Sequence, residues 1–418
     1  MTTQVEHSEL AVNGGTPVIE TPFPSRGHLG QEEKDIVVKI FDDAIASGNA
    51  PGYNGQYETQ YCEDFAAHMG GGFADGVNSG TNAVYVALKA LNPEPYSEII
   101  VGAVTDAGGM MPIVLLNCIP IVADAAPGGY NSGPEQIEPL ITERTSIILI
   151  AHIGGEPTDI EGIIALAEKH NIQVVEDCAQ AHGATINGKQ VGSFGDISAM
   201  STMFGKHHCT GGQGGVVFTK NEDLLINIRR AADRGKPFGQ GTSNAVASLN
   251  NNLNDLGAAI GIEQLKKLSG IVKNRQQFAA EVAPQLNALA SMTVPEIMDN
   301  ATHSYWWWRL AVNVDHISCT KAEFCSALQA EGVCLSPSYM GALPHLMDWF
   351  TNRSVFGSSQ LPWSSSEYKG DASQSFPTPN ALHTMETQFN MTISESWTSE
   401  HADLLVKAFQ KVDGAYSK

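Results

Sequence analysis

The sequence predicts an α/β fold in which a mostly parallel, doubly wound sheet precedes a smaller C-terminal α+β domain. Between Glu98 and Glu176, short apolar runs alternate with amphipathic segments, as in parallel sheets covered by helices on both faces. From His303 onward this alternation stops, and a Trp-rich strand, separate helices and a loop-rich stretch indicate α+β packing. In the alternating region, candidate ligand-binding residues are therefore those that follow the carboxyl ends of the strands.

Length and composition support several domains. The chain has 418 residues, 42% of them hydrophobic, which is enough to bury a large core. We expect an N-terminal arm over residues 1–31, a large domain over 32–269 and a small domain over 270–418. The arm is expected to be extended because Gly14, Gly15, Pro17, Pro22 and Pro24 interrupt it.

Charge and cysteine usage bound the partners and the compartment. A net charge of −21 argues against nucleic acid and anionic membranes, since both attract basic proteins. The polar start MTTQVEHSEL lacks the features of a signal peptide, and Asp106 interrupts the longest apolar candidate for a membrane span, Ile99 to Cys118. Seven cysteines without paired spacing are typical of free thiols, so a cytoplasmic location is predicted.

Before the alternating region, two helices and a polar turn are predicted. Apolar residues at helical spacing predict helices over Glu32–Ser47 and Tyr57–Met69. The turn at Ser79, Gly80 and Thr81 opens directly into an apolar helix. Such a helix start can bind a phosphate through its free N–H groups, but it is equally the pattern of an ordinary Ser/Thr cap.

Spacing then predicts the elements in order. Strands are expected at Ile99–Val101, Ile119–Ala123, Ser146–Ala151, Ile172–Glu176 and Val216–Thr219, with helices at Ala107–Leu116, Asp159–His170 and Asn221–Asp233 and a long helical segment that ends at about Leu289. The C-terminal region adds a strand at Tyr305–Val312 and helices at Lys321–Glu331 and Ser399–Val412. The tryptophans Trp306, Trp307 and Trp308 are interpreted as packing on both faces of that strand. No GxGxxG motif follows the strand that ends at Val101, which argues against a nicotinamide-binding Rossmann domain.

Two residues suggest a cofactor. Asp177 follows the apolar run at the end of a predicted buried strand, and Lys206 lies between Met203-Phe204-Gly205 and the glycines 211 to 215. A desolvated lysine can form a Schiff base with the aldehyde of pyridoxal 5'-phosphate (PLP), and a carboxylate can keep the ring nitrogen protonated. An ordinary surface lysine and a capping aspartate would explain the same two residues without a cofactor.

An ordered series of motifs separates these interpretations. The sequence reads EDCAQAHGA from Glu176 to Ala184, GSFGDI from Gly192 to Ile197, then Ser201, Lys206 and GQGG from Gly212 to Gly215. This series resembles the DegT/DnrJ/EryC1/StrS family of PLP-dependent sugar aminotransferases. The resemblance implies the fold of the fold-type I PLP-dependent transferases and an internal aldimine between Lys206 and PLP.

The resemblance also implies further site residues. Lys206 and Asp177 would be catalytic, and the cofactor would in addition be bound by Ser79, Gly80, Thr81, His152, Gln180, Ser201 and Asn250. Asn250 would reach the phosphate of a neighbouring subunit, which implies a homodimer with shared active sites. His182 is expected to orient Asp177. Three nearby arginines, Arg229, Arg230 and Arg234, are candidate partners for a substrate carboxylate.

The sequence departs from the family pattern in three places. Asp106 occupies the position of the family's ring-stacking aromatic residue, Gln213 replaces the glutamate of GEGG with one extra residue before it, and Asn252 replaces an arginine. These departures leave Lys206 and Asp177 in place. They bear on how the cofactor ring is held and on the acceptor substrate.

The predicted function is transfer of an amino group from glutamate or glutamine to a keto-sugar or keto-cyclitol. Two alternatives stay open, a PLP-dependent sugar dehydratase and a non-catalytic PLP-binding or regulatory protein. The dehydratase would have histidine in place of Lys206. A metal site at Lys206-His207-His208-Cys209 is not expected, because adjacent side chains on one turn do not readily converge on an ion.

Overall fold

A seven-stranded sheet forms the centre of the computed structural model, which describes residues 5–418. Its strands are β1 (Phe73–Val77), β2 (Glu98–Gly102), β3 (Ile119–Ala123), β4 (Thr145–Ala151), β5 (Gln173–Asp177), β8 (Ile197–Ser201) and β9 (Gly215–Thr219). They run in the order β1-β9-β8-β5-β4-β2-β3 across the sheet. Only β9 runs antiparallel to its neighbours β1 and β8, and the other pairings are parallel. The mostly parallel sheet of the predicted fold class is thus confirmed.

Helices cover this sheet and continue into the C-terminal region. They are α1 (Gln31–Ser47), α2 (Gln56–His68), α3 (Gly80–Leu91), α4 (Ala107–Leu115), α5 (Pro134–Ile137), α6 (Ile160–His170), α7 (Glu222–Ala232), α8 (Asp255–Asn287), α9 (Lys321–Ala330), α10 (Asp348–Thr351), α11 (Pro379–Thr387) and α12 (Ser399–Tyr416). Predicted helix and strand bounds agree with these within a few residues. Side-chain caps explain several starts, because Ser79, Asp159, Asn221 and Asn254 each accept a hydrogen bond from a backbone N–H of the first turn.

Short strands complete the fold. One sheet contains β11 (Ala301–Thr302), β6 (Thr185–Ile186) and β7 (Lys189–Gln190), and another contains β10 (Met292–Thr293), β12 (Trp308–Val312), β14 (Gln388–Met391) and β13 (Leu335–Ser336) in that order. All pairings in the second of these sheets are antiparallel. Together with α9 and α12 they give the α+β architecture expected for the C-terminal region. Strand β12 begins at Trp308, so the prediction that it starts at Tyr305 was wrong.

The described residues, 5–418, form two hydrophobic clusters. The first surrounds the seven-stranded sheet, and the second joins β12 and β14 to α9 and α12. Helix α8 contributes Ile262 to the first cluster and Phe278 to the second, so the predicted boundary at 269/270 falls within one continuous helix. Leu10 and Ile19 of the N-terminal arm belong to the second cluster. The division into arm, large domain and small domain stays a prediction.

The long C-terminal connection, residues 337–378 between β13 and α11, packs against the large sheet. Phe350, Trp363 and Tyr368 belong to the first cluster, and the Tyr368 hydroxyl donates to Glu98 of β2 at 3.0 Å. The backbone N–H of Thr105 donates to the Ala342 carbonyl oxygen at 2.9 Å. This connection therefore contacts the large sheet at both ends of β2, at Glu98 where the strand begins and at Thr105 after it ends.

Within residues 5–418, no helix combines the length and apolar character needed to cross a membrane.

Candidate active site

A cavity of about 220 Å³ opens at the carboxyl ends of β4 and β5, between the start of α3 and the loop after β8. Eight of the nine predicted site residues line it, namely Ser79, Gly80, Thr81, His152, Asp177, Gln180, Ser201 and Lys206. The ninth, Asn250, lies outside this cavity. Parallel strands bring residues distant in sequence to one edge, which explains the convergence.

Lys206 lies on the loop between β8 and β9 and is 6% exposed. Burial lowers the pKa of its amine from the usual 10.5 to about 8, while the charges of Asp177 and Asp106 act in the opposite direction. A substantial fraction of the amine is therefore neutral near physiological pH. A neutral amine is the form that attacks a carbonyl carbon.

Asp177 ends β5 and is also buried. Burial raises the pKa of its carboxyl group, whereas a hydrogen bond from the Ala179 N–H at 3.0 Å and the charge of Lys206 favour ionisation. A cationic group placed against this carboxylate would lower its pKa further, because opposite charges stabilise each other strongly in a desolvated site. The site is thus suited to binding a protonated ring nitrogen.

Glu176 and His152 form a buried hydrogen-bonded pair beside Asp177. The His152 Nδ1 atom accepts from the Thr158 N–H at 3.1 Å, so the ring proton lies on Nε2, which is 3.1 Å from a Glu176 oxygen. Burial alone would raise the pKa of Glu176, but His152 and backbone N–H groups at Gly195 and Gly192 lower it overall. The pair fixes the His152 ring as a wall of the cavity.

The start of α3 is closely packed against the end of β8. Ser79 caps the helix by accepting from the Asn82 N–H at 3.1 Å, and Gly80 lies directly against Ser201. A Cβ atom added at Gly80 would be 2.5 Å from the Ser201 Cβ, and one added at Gly108 would be 2.2 Å from the Thr81 hydroxyl oxygen. These contacts require glycine at both positions. The free N–H groups and hydroxyls there match a phosphate.

Gln180 ties two walls of the cavity together. Its side-chain oxygen accepts from the Gly154 N–H at 2.7 Å, and its amide nitrogen donates to the Tyr339 hydroxyl at 3.2 Å. Tyr339 comes from the long C-terminal connection and also lines the cavity. One tryptophan, Trp306, lines the cavity as well. The rings of Tyr339 and Trp306 thus both come from the C-terminal part of the chain.

Comparison with known proteins identifies the family of this chain. The model of the DegT/DnrJ/EryC1/StrS aminotransferase family matches residues 33–388. The chain belongs to this aminotransferase family.

Individual proteins are similar in sequence or structure to most of this aminotransferase. GDP-perosamine synthase of Caulobacter vibrioides is 28% identical over 312 residues, which cover 74% of this chain and 82% of that protein. The L-glutamine:scyllo-inosose aminotransferase of Streptomyces griseus is 26% identical over 340 residues, covering 78% and 79%. The X-ray structure of the aminotransferase from Psychrobacter cryohalolentis superposes with a TM-score of 0.81 at 26% identity, covering 94% of this chain and 98% of that one.

Family membership confirms the predictions of an aminotransferase of fold-type I and of PLP as its cofactor. The residues of the cavity fit that cofactor: a buried lysine whose pKa is lowered, a buried carboxylate, and a helix start with free N–H groups and hydroxyls that could bind a phosphate. Bound PLP would be held by Lys206, Asp177 and the turn at Ser79, Gly80 and Thr81.

Two expectations about neighbouring side chains were wrong. His182 does not orient Asp177, because its Nε2 donates to the Ser201 carbonyl oxygen at 2.8 Å. Trp306 was expected to pack within a strand, but it precedes β12 and lines the cavity. The Lys206 Nζ atom lies 3.5 Å from the centre of its ring. The motif spacing gave no signal for this contact, which depends on a loop from another part of the chain.

The departures from the family pattern have local explanations. Asp106 caps α4 by accepting from the Gly108 N–H at 2.8 Å, so a helix cap stands where the family has a ring-stacking aromatic residue. Asn250 is exposed, and its side-chain oxygen accepts from Asn252 at 2.7 Å. The three candidate arginines do not line the cavity: Arg234 binds Asp233, and Arg229 lies 3.9 Å from Asp75.

Metal binding is not favoured by the donor atoms present. His207 and His208 direct their Nε2 atoms to different partners, the Ser304 carbonyl and the Tyr61 hydroxyl. Within residues 5–418 one group, His152, Glu176 and Cys178, has ligand spacing. The first two already bind each other, and burial raises the pKa of the Cys178 thiol well above its usual value.

Proposed function

We propose that this aminotransferase moves an amino group from glutamate or glutamine to a keto-sugar or keto-cyclitol, with PLP attached at Lys206. The observation that carries the proposal is the buried pair of Lys206 and Asp177 at the two sides of one cavity. Bound PLP supplies an electrophilic carbonyl group and a ring that withdraws electrons from a bound amine.

The roles of the protein residues follow from their chemistry. The neutral Lys206 amine can take a proton from a substrate carbon and return it, since its lowered pKa keeps it near the operating pH. The Asp177 carboxylate would stay beside the ring nitrogen and keep it protonated. Ser79, Gly80, Thr81 and Ser201 would bind the phosphate, and His152 and Gln180 would position the walls around the ring.

The names of the relatives support the substrate class. One is named for making GDP-perosamine, and another for an aminotransferase reaction between L-glutamine and scyllo-inosose. The presence of Lys206 argues against the dehydratase alternative, in which histidine replaces it. We also keep a cytoplasmic location as part of this proposal, supported by seven cysteines that are all free.

The test is turnover of the purified protein with L-glutamate or L-glutamine and a panel of keto-sugars and keto-cyclitols, followed by borohydride reduction and peptide mapping. We expect amino product from wild type, a pyridoxyl group on Lys206, and neither from Lys206→Ala. Deoxygenated sugar without amino product would favour the dehydratase. A pyridoxyl group on Lys206 without turnover across the panel would favour the non-catalytic alternative.

We further propose a homodimer in which Asn250 completes the active site of the partner subunit. Asn250 lies outside the cavity of its own chain, and its neighbour Leu249 is exposed, as are Phe204 on the lysine loop and Phe41 and Ile45 on α1. Contiguous exposed apolar patches commonly mark an interface, so these side chains are candidates for the dimer contact.

Mixing two inactive variants tests the shared site. In a dimer formed from Lys206→Ala and Asn250→Ala chains, one site would combine an intact Lys206 with an intact Asn250 from the partner. Random pairing would then restore about one quarter of wild-type activity, since half of the dimers would have one good site out of two. Activity that does not recover after co-refolding would contradict sharing, provided that each variant forms dimers.

A further inference from the structure

The N-terminal arm contacts the backbone of the catalytic lysine. The Arg26 guanidinium donates to three consecutive carbonyl oxygens, those of Gly205 at 3.1 Å, Lys206 at 2.7 Å and His207 at 3.1 Å. The loop that contains Lys206 lies outside helices and strands, so its carbonyl groups lack the partners that regular structure would provide. Arg26 satisfies three of them with one side chain.

A single carboxylate holds Arg26 in this place. Glu395 accepts from the Arg26 Nε at 2.9 Å and from the Arg275 Nη2 at 2.7 Å. Burial would raise the pKa of Glu395, but the charges of Arg275 and Arg26 lower it overall, so the carboxylate is ionised. We name Arg26, Glu395 and Arg275 the arginine brace.

The second arginine of the brace holds the other wall of the cavity. Arg275 is 1% exposed and donates from Nη1 to the Tyr305 carbonyl oxygen at 2.7 Å, immediately before Trp306. The Trp306 indole N–H donates in turn to the Gly205 carbonyl oxygen at 3.1 Å. The brace therefore fixes both the lysine loop and the tryptophan on which the lysine amine rests.

We propose that Arg26 is a positioning residue for Lys206, which makes the N-terminal arm part of the machinery that attaches the cofactor. Arg26 contacts the lysine only through backbone carbonyls and takes no part in the chemistry. Without it, the loop would lose three charge-assisted hydrogen bonds and the amine would sample positions away from the cavity. This inference rests on the proposed attachment of PLP to Lys206.

A second anchor of the same arm provides a matched control. Lys411 binds Glu331 at 2.9 Å and the Thr16 carbonyl oxygen at 2.8 Å, and Glu331 also accepts from the backbone N–H groups of Ala11 and Val18. This anchor holds the arm to the small domain without contacting the lysine loop. Lys411→Gln therefore weakens the attachment of the arm and leaves the arginine brace intact.

The experiment compares Arg26→Gln, Arg26→Lys and Lys411→Gln. In the PLP-free proteins, hydrogen exchange of the peptide covering residues 203–210 is measured together with the melting temperature. PLP is then added, and the rate at which borohydride traps a pyridoxyl group on Lys206 is followed by mass spectrometry. Hydrogen bonds from charged donors are worth roughly 10- to 100-fold in an equilibrium, so we expect a loss of that size in trapping rate for Arg26→Gln.

We expect Arg26→Gln also to accelerate exchange of the 203–210 peptide and Arg26→Lys to recover part of both effects. Lys411→Gln should lower the melting temperature yet leave exchange and trapping within twofold of wild type. Wild-type exchange and trapping in Arg26→Gln would overturn the inference, as would equal losses in Lys411→Gln. A wild-type protein that takes no pyridoxyl group would instead contradict the proposed function, and the exchange comparison would still decide the role of Arg26.

Discussion

The Nζ atom of Lys206 lies 3.5 Å from the centre of the Trp306 indole ring, and the Trp306 N–H bonds to the carbonyl of the residue before the lysine. The ring face attracts the ammonium form of the lysine, whereas burial disfavours that form. Trp306 thus moderates the effect of burial on the lysine amine. Its replacement should change the proton affinity of Lys206 in a defined direction.

Trp306→Leu should lower the pKa of Lys206 below about 8. Leucine keeps the site apolar but removes the ring face, and a desolvated cation–π contact is worth about 2 kcal/mol, which corresponds to a fall of roughly 1.5 pKa units. The pKa can be measured in the PLP-free protein from the pH dependence of Lys206 modification by an amine-reactive reagent, read by mass spectrometry.

Trp349→Leu is the control for this change. Trp349 packs against Phe350, with ring centres 5.4 Å apart, and does not line the cavity. The Lys206 pKa should be unchanged in this variant. Equal pKa values in wild type and Trp306→Leu would show that the indole ring does not affect the amine.

Asp177→Asn should separate catalysis from stability. The amide keeps the shape of the side chain but cannot pair with a protonated ring nitrogen, and loss of a buried charge partner costs about 3–5 kcal/mol, so turnover should fall by at least about 100-fold. In the PLP-free protein, burial raises the Asp177 pKa, so ionisation of this carboxyl opposes folding above that pKa. The melting temperature of PLP-free Asp177→Asn at pH 8 should therefore not fall below that of wild type. A melting temperature several degrees lower would mean that the carboxylate stabilises the empty site.

Much of the large sheet could be predicted because its signals are local. Apolar runs such as that before Asp177 form buried strands, and the side chains that follow parallel strands meet at one edge. The motif series then placed Lys206, Ser201 and Gln180 in that cavity. These predictions needed no knowledge of long-range packing.

The contacts that escaped prediction join segments far apart in the chain. Arg26 and Lys206 are 180 residues apart, and Tyr339 reaches Gln180 from 159 residues away. Neither proline content in the arm nor aromatic runs in the C-terminal region carry a sign of these partners. Strand β12 does not extend back to Tyr305, because that residue has a positive φ of 53°, outside the extended region of strands.

Gly80→Ala should weaken PLP binding. The added methyl group would lie 2.5 Å from the Ser201 Cβ and 2.9 Å from its hydroxyl oxygen, so the start of α3 would have to move away from Ser201. We expect the PLP dissociation constant to rise by at least about 10-fold, the equivalent of one displaced charge-assisted hydrogen bond. Equilibrium dialysis of PLP against the PLP-free protein measures it.

Gly270→Ala is the matched control, because Gly270 lies within α8 and an added Cβ would meet no atom within 4 Å. Alanine is favoured over glycine inside a helix by about 1 kcal/mol, so this variant should be slightly more stable and bind PLP as wild type does. Unchanged binding in Gly80→Ala would mean that the helix start tolerates the methyl group and does not form the phosphate site.

His303 should make the protein less stable as the pH falls. Burial lowers its pKa to about 3, and Arg309 acts in the same direction. Between pH 6.5 and 3 the unfolded chain therefore binds a proton at this residue that the folded protein does not. The contribution of His303 is fully present above pH 6.5 and decreases by about 1.4 kcal/mol per pH unit below it.

The prediction concerns a difference between variants, because other buried groups act in the opposite sense. Burial raises the pKa of Glu58 to about 8 and that of Asp75 to about 7, so each stabilises the fold as the pH falls through those values. In His303→Asn the amide oxygen can replace the Nδ1 atom that accepts from the Tyr305 N–H at 2.8 Å. The free energy of unfolding is measured in urea for both proteins. The value for this variant minus the value for wild type should increase by about 1.4 kcal/mol when the pH is lowered from 6 to 5. The control is His383→Asn, at an exposed histidine, which should show no such gain. If the free energies of unfolding of wild type and His303→Asn changed in parallel with pH, His303 would be protonated equally in the folded and unfolded states.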